Sequence, residues 1–279
     1  MRRGSARKMA IGAGKHLIMV LVSMFMLLPL VWGLITSFKP QSEIFKYPPK
    51  FFTGLTLENY IQAFQREGLG RYLVTTIALA VISTVIGILF ATFAAYIFSR
   101  YSFRGKLFCT TFVVLPMLIP GLVNLIPLFS VYSRMGLRDN FIGLVLLYLP
   151  GIMPFSIMVL QNYLRAVPFT LEEAAMIDGC SRWQILTKII LPVIVPGVIA
   201  VAMIGFVNIW NEFIITLIFT SGRGLRTVTL SLFYMVNANN VNYGVVCAVA
   251  FVNIIPVLII FLIFRKQFIG SMIDGAIKG

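Results

Sequence analysis

The stretch Pro168–Pro192, PFTLEEAAMIDGCSRWQILTKIILP, decides how the chain is read. It is mixed in polarity, while most of the sequence around it is apolar. Thr170 followed three residues later by Glu173 has the pattern of a capping box, and Ser181 with Gln184 repeats it. Gly179 lies between the two, where a helix can end through a left-handed residue. The pattern predicts a helix, a glycine turn and a second helix that ends at Leu191-Pro192. A folded helical pair on an otherwise apolar chain has the form of a docking element for a partner.

The flanks of this stretch are hydrophobic runs. Crossing the hydrocarbon core takes about 20 residues. Six runs meet that length, at roughly 17–37, 73–98, 107–129, 141–160, 191–217 and 245–264. The stretch falls between the fourth and the fifth. The first run is too long for a signal-peptide core, and no small-residue cleavage site follows it, so it reads as a retained span. The expected organisation is a basic segment 1–16, a six-helix membrane domain 17–264 containing the loop 165–192, and a basic tail 265–279.

Orientation follows from the basic residues. With the amino terminus inside, 14 of the 23 Lys and Arg residues fall on inner segments and nine on outer connectors. That bias agrees with the positive-inside rule. Both termini and the Pro168–Pro192 loop are then expected in the cytoplasm.

Composition narrows the function. Of 279 residues, 59% are hydrophobic and 11% charged, against about 25% charged in soluble domains. Mean hydropathy is +0.95. The net charge of +14 raises the question of nucleic acid, but the basic residues are scattered between apolar runs and form no basic helix or aromatic-interleaved patch. No nucleic-acid partner is expected; the partner surface is membrane lipid. Cys109, Cys180 and Cys247 have no metal-ligand spacing and read as free thiols. A lone His16 leaves little for histidine catalysis or metal binding. Gly12-Ala13-Gly14-Lys15-His16 fails the phosphate-loop pattern, because Met9 replaces its first glycine and His16 its Ser/Thr. No cofactor or metal is expected in this chain.

Prolines interrupt the expected spans three to six: Pro116, Pro120 and Pro127, then Pro150 and Pro154, then Pro192 and Pro196, then Pro256. Proline in a helix frees a carbonyl, which in lipid must find a partner in protein or a wet cavity. Bent helices around a pathway fit this pattern. Asn208, Trp210, Asn211 and Glu212 form the most polar patch within a span. Glu212 is the only acidic residue in the six runs. An intramembrane carboxylate is a candidate functional group, but this one lies about 12 Å outward of the span centre. It reads either as a substrate contact or as a group satisfied by a neighbouring helix. Asn124 and Asn253 are weaker pathway candidates, since lone amides also bridge helices.

Glu173-Ala174-Ala175-Met176-Ile177-Asp178-Gly179, nine more residues and then Ile189-Ile190-Leu191-Pro192 resemble the EAA motif of permease subunits in binding-protein-dependent ABC importers. Ser37-Phe38-Lys39-Pro40, Glu43-Ile44-Phe45, Pro48-Pro49, Glu58-Asn59-Tyr60, Trp210-Asn211-Glu212-Phe213 and Gly275-Ala276-Ile277-Lys278-Gly279 resemble the carbohydrate, maltose-type (MalG-like) branch. Ser271, Ile273 and Thr227-Val228-Thr229-Leu230 depart from it.

The resemblance implies an all-α integral membrane protein with the type I ABC importer permease (MetI-like) fold. It implies a second permease subunit, two ATP-binding subunits that hold ATP and Mg, and an extracytoplasmic solute-binding protein. The coupling surface would be Glu172, Glu173, Ala174, Ala175, Asp178, Gly179, Leu191 and Pro192. The tail residues Gly275, Lys278 and Gly279 would also meet the ATPase, and Arg223–Tyr243 would face the binding protein. The implied activity is import of a sugar or oligosaccharide across a bacterial or archaeal cytoplasmic membrane by a non-catalytic, multi-pass subunit. The same machine could carry a glycerophosphate or a polyol. A stand-alone proton-coupled transporter needs titratable groups near the midplane, and the runs offer only off-centre Glu212.

Overall fold

The computed structural model describes residues 2–51, 54–222 and 224–277. In chain order the helices are α1 (Arg2–Ser37), α2 (Gln41–Ile44), α3 (Glu58–Gln65), α4 (Leu69–Arg100), α5 (Lys106–Val114), α6 (Leu125–Arg134) and α7 (Phe141–Ala166). They continue with α8 (Thr170–Ile177), α9 (Arg182–Gln184), α10 (Leu191–Trp210), α11 (Ile214–Phe219), α12 (Val228–Val236) and α13 (Tyr243–Ile277). No strand occurs among the described residues. Helices satisfy every backbone group within one segment, which lipid demands.

Among the described residues, five helices are long and apolar enough to span a membrane, and a sixth span is present if a bent pair counts as one. The bent pair is the third run. Lys106–Met117 and Gly121–Arg134 meet at 96°, with short 3₁₀ turns at Leu115–Met117 and Gly121–Asn124. Pro116 and Pro120 sit at this break. Elsewhere the expected interruptions do not occur. Pro150 and Pro154 lie inside an unbroken α7, Pro196 inside α10 and Pro256 inside α13. A single proline removes one hydrogen bond, and long helices absorb that loss. Helix α1 begins at Arg2, and α13 runs on to Ile277.

The chain forms two compact units. One comprises residues 1–69 and 232–252. Its α1 exposes apolar side chains from Leu17 to Leu34, as a helix solvated by lipid does. The polar connector after α1 is folded around Asn59, which is buried. The Asn59 amide donates to the carbonyls of Ser37, at 2.9 Å, and Lys39, at 2.7 Å. Ser37 closes α1 and Lys39 lies just beyond it, where carbonyls lack an intrahelical partner. Ser37 Oγ shares a 2.7 Å hydrogen bond with Tyr60 OH. Lys39 is buried, donates to the Lys50 carbonyl and lies 5.2 Å from the Trp32 ring centroid.

The other unit comprises residues 70–231 and 253–279 and holds the main hydrophobic core. Its central pair is α7 and α10. Leu144, Ile157, Leu160 and Leu164 of α7 and Ile194 and Trp210 of α10 are fully buried. Between apolar helices in lipid the driving force is close packing, so small residues matter at the crossing. A Cβ added at Gly197 would come within 2.6 Å of the Tyr163 ring.

Two connectors of this unit are tied by Asp139. Its carboxylate accepts from Ser221 N at 2.6 Å, from the Ser221 hydroxyl and from Gly222 N at 3.4 Å. The hydrogen bond from the Ser221 side chain is the main reason its pKa is lowered. Asp139 sits at φ +49, a left-handed conformation that Asp tolerates better than most residues.

Candidate functional site

The loop after α7 folds as a helix, a glycine turn and a second helix that carries a capping box. The first helix, α8, starts one residue earlier than the Thr170 pattern predicts. Phe169 is its N-cap, in helical conformation, and no side chain caps it. The turn is set from behind: the Leu171 amide reaches the Pro168 carbonyl, and those of Glu172 and Glu173 reach Phe169. Thr170 is thus already inside the helix, and its capping box does not form. The Ser181 box does form: Ser181 N donates to Gln184 Oε1 at 2.8 Å, and Gln184 N to Ser181 Oγ at 3.3 Å.

Helix α8 ends as the sequence predicts. Gly179 has φ +81. The Cys180 amide reaches back to Ala175 O and the Gly179 amide to Met176 O, the paired bonds of a Schellman turn. A Cβ at Gly179 would meet no atom within 4 Å, so the glycine is required by its backbone angle rather than by crowding.

The second helix does not stop before the next span. Ile185–Ile190 is a π-helix that joins α9 to α10 without a break, so Arg182–Trp210 is a single apolar helical span. The π turn adds a wide turn to a continuous rod, a feature common at functional sites. Ile185, Leu186 and Ile190 are buried, so the rod is also held from the side.

Helix α8 has two faces. Leu171, Glu173, Ala174, Ile177, Asp178 and Gly179 are exposed, Ile177 at 86%. Glu172 and Ala175 point inward, at 1% and 5%. Glu172 and Ala175, expected on the docking surface, are buried within this chain, while Glu173, about 100° further round the helix, is exposed. Glu172 lies 2.5 Å from Arg100 Nε and accepts from Tyr96 OH at 3.0 Å. Leu191 is half-buried and Pro192 is exposed at the start of α10. Gly275 lies within α13; Lys278, Gly279 and Arg223 lie outside the described residues.

At the far end of α10 the polar patch separates into different roles. Trp210 is fully buried, stacked on Phe206 at 5.5 Å, with its indole N–H donating to Asn253 O at 3.2 Å. Its own carbonyl accepts from Thr229 Oγ1. The Asn211 amide turns back on Val207 O. Glu212 sits at the break before α11 and accepts from Ile215 N at 2.6 Å, Thr216 N at 3.1 Å and Thr216 Oγ1 at 3.1 Å. Tyr148 OH adds a bond at 3.3 Å. A carboxylate at the start of a helix satisfies its orphan N–H groups and favours its dipole. Of the two roles open to Glu212, the geometry supports the internal one. Trp210 likewise holds helices together.

Asn208 differs. It is exposed and lines a cavity of roughly 220 Å³ with Gly151, Ile152, Phe155, Ser156, Val201, Ile204 and Gly205. Ser156 Oγ is buried with no hydrogen-bond partner among the described residues. Asn124 is exposed near the bend of the broken span, and Asn253 serves through its backbone carbonyl. Sequence reasoning missed Arg100, Tyr96 and Ser156. Arg100 read only as an orientation charge, and nothing in the spacing tied it to Glu172, 72 residues later.

Residues 85–268 match the model of a family described as binding-protein-dependent transport system inner membrane component. The chain belongs to that family. The match covers the whole loop and the helices on both sides of it. The permease is 31% identical to the sulfoquinovosyl glycerol transport system permease protein SmoH of Agrobacterium fabrum, over 96% of this chain and 95% of that one. It is 32% identical to the trehalose/maltose transport system permease protein MalG of Thermococcus litoralis, over 93% and 94%. Among solved structures, a bacterial ABC transporter involved in import of the acidic polysaccharide alginate aligns with a TM-score of 0.83 at 21% identity, over 92% of this chain and 96% of that one. The methionine transporter MetNI aligns at 0.56 and 20% identity, over 77% and 98%. The permease has the all-α fold of ABC importer membrane subunits and is a multi-pass membrane protein.

Proposed function

We propose that this permease is one of two membrane subunits of an ATP-driven importer for a saccharide or glycoside, and that it hydrolyses no ATP itself. The observation that carries the proposal is the loop. Its exposed face presents Glu173, Ala174, Ile177 and Asp178, and its second helix continues into a span. A force applied to that face by an ATP-binding subunit reaches the membrane through an unbroken rod. The substrate class rests on relatives named for sulfoquinovosyl glycerol and for trehalose and maltose. The first of these favours a glycerol-linked sugar alongside plain disaccharides.

In this reading the loop and both termini face the cytoplasm of a bacterial or archaeal cell, two ATP-binding subunits carrying ATP and Mg dock below, and a solute-binding protein delivers cargo from outside. Asn208 and Ser156 offer hydroxyl-sized hydrogen-bond partners to the cargo. Their cavity is smaller than the about 300–1,000 Å³ of usual ligand sites, so the second permease subunit supplies the other wall.

The test is uptake of labelled trehalose, maltose and a glycerol glycoside by vesicles holding the permease with its genomic neighbours. Uptake that requires the ATP-binding subunit is expected. Uptake by this chain alone, driven by a proton gradient, would overturn the reading. Glu173→Lys and Gly179→Arg are expected to abolish co-purification with the ATP-binding subunit while membrane insertion persists. Normal co-purification of both would refute the docking face.

A further inference from the structure

The two neighbouring carboxylates of the loop, Glu172 and Glu173, point about 100° apart around α8. Glu173 is exposed. Glu172 is buried in its own chain, and its carboxylate's partners, Arg100 and Tyr96, both belong to the last turns of α4. Arg100 is the last residue of α4, where a cation also suits the helix dipole. Its guanidinium makes three attachments. Nε meets Glu172 at 2.5 Å, Nη2 donates to the Val167 carbonyl at 2.9 Å, and the group stands 6.0 Å from the Phe169 ring centroid. Val167 closes α7 and Phe169 opens α8. Tyr96, one turn before Arg100, holds the other oxygen of Glu172 at 3.0 Å. A side chain that is 9% exposed in Arg100 and 1% in Glu172 leaves little water between the charges, so their attraction is weakly screened.

We infer that Glu172, Arg100 and Tyr96 form a second transmission joint, which ties α8 to the span α4 as the π segment ties α9 to the span α10. Glu172 is then a positioning residue: it meets neither nucleotide nor cargo, and it fixes how the loop's movement is divided between two spans. The inference rests on the permease reading above. Without the joint, the exposed face of α8 still presents Glu173 and Asp178, while its displacement reaches α10 alone. The complex should then spend ATP without moving cargo in proportion.

The experiment measures ATP hydrolysis and cargo uptake on the same vesicles, using the complete complex with its binding protein. Glu172→Gln keeps the size and one hydrogen bond of the side chain and removes its charge. The variant is expected to assemble with the ATP-binding subunit and to hydrolyse ATP, while uptake per ATP falls about 5-fold or more, the lower range for a coupling interaction between sites. The charge swap Arg100→Glu with Glu172→Arg should recover part of the ratio, which a mere loss of folding would not. A wild-type ratio in Glu172→Gln would overturn the inference. So would loss of ATP-binding-subunit association, as expected for Glu173→Lys, since that would place Glu172 on the docking face. If Glu172→Gln fails to fold and insert into the membrane, Tyr96→Phe decides: it keeps the ion pair and removes one hydrogen bond. A lowered ratio supports the joint and an unchanged ratio overturns it. Failure of the permease reading itself shows separately, as wild-type uptake that is indifferent to ATP.

Discussion

The two ends of the helix Arg182–Trp210 are built in opposite ways. At the loop end, an α-helical turn, a π segment and the long α-helix follow one another without a gap, so the loop runs straight into the span. At the other end the helix stops at Trp210, the chain breaks for three residues, and α11 starts afresh under the Glu212 carboxylate. One end is made to transmit and the other to hold still. The loop before this helix and the break after it each hold one carboxylate turned inward. Glu172 faces a guanidinium, and Glu212 faces backbone amides and hydroxyls. The lesson is that acidic residues in an apolar chain do not mark contact surfaces by their presence alone. Their burial and partners decide.

That comparison can be broken by removing each anchor. The largest loss of stability is expected from Arg100→Ala, which strands the buried Glu172 charge; breaking such a pair costs about 3–5 kcal/mol. Thermal unfolding of the purified complex checks it, and a change no larger than that of a surface substitution would contradict the buried pair. Glu212→Ala should cost less, about 1–3 kcal/mol, because it leaves uncharged amides of Ile215 and Thr216 without a cap. Hydrogen exchange should rise at those two amides and stay unchanged in Ile185–Ile190. Ser181→Ala removes only the capping box and should cost about 1 kcal/mol, seen as faster exchange at Gln184 N.

The smallest effect is local and pH-dependent. Asp139 is held below its ordinary pKa chiefly by the Ser221 hydroxyl. A depressed carboxylate stabilises the fold above its unfolded value, about 3.9, and that contribution is lost as pH falls through the lower folded value. Exchange at Ser221 and Gly222 amides should therefore accelerate only in acid below the usual carboxylate range. Asp139→Asn should show fast exchange at neutral pH and no acid step.

Much of this architecture was legible from residues alone. Apolar runs of about 20 residues located the spans, Gly179 marked the turn, and Ser181 with Gln184 marked the second helix start. What stayed hidden depended on rotation or distance. Which face of α8 turns inward is a matter of 100° per residue, and Thr170-Leu171-Glu172-Glu173 carries no strong apolar stripe to set it. The partnership of Glu172 with Arg100 and Tyr96 links segments more than seventy residues apart. The prolines misled because a long helix tolerates one missing bond, so only the run with Pro116 and Pro120 bends sharply. Asn59 looked like part of a polar connector, yet its amide closes the end of α1 through two carbonyls.

The central claim is that α8 offers one face to a partner and grips its own chain with the other. Cysteine substitutions along residues 171–178 test it most directly, in a background with Cys109, Cys180 and Cys247 replaced by serine. Labelling by a membrane-impermeant thiol reagent in inside-out vesicles is the readout, with and without the ATP-binding subunit. Positions 173, 174, 177 and 178 are predicted to label freely and to be protected when the subunit is present, while 175 stays unlabelled in both states. Equal labelling of 175 and 177, or no protection at any position, would contradict the account.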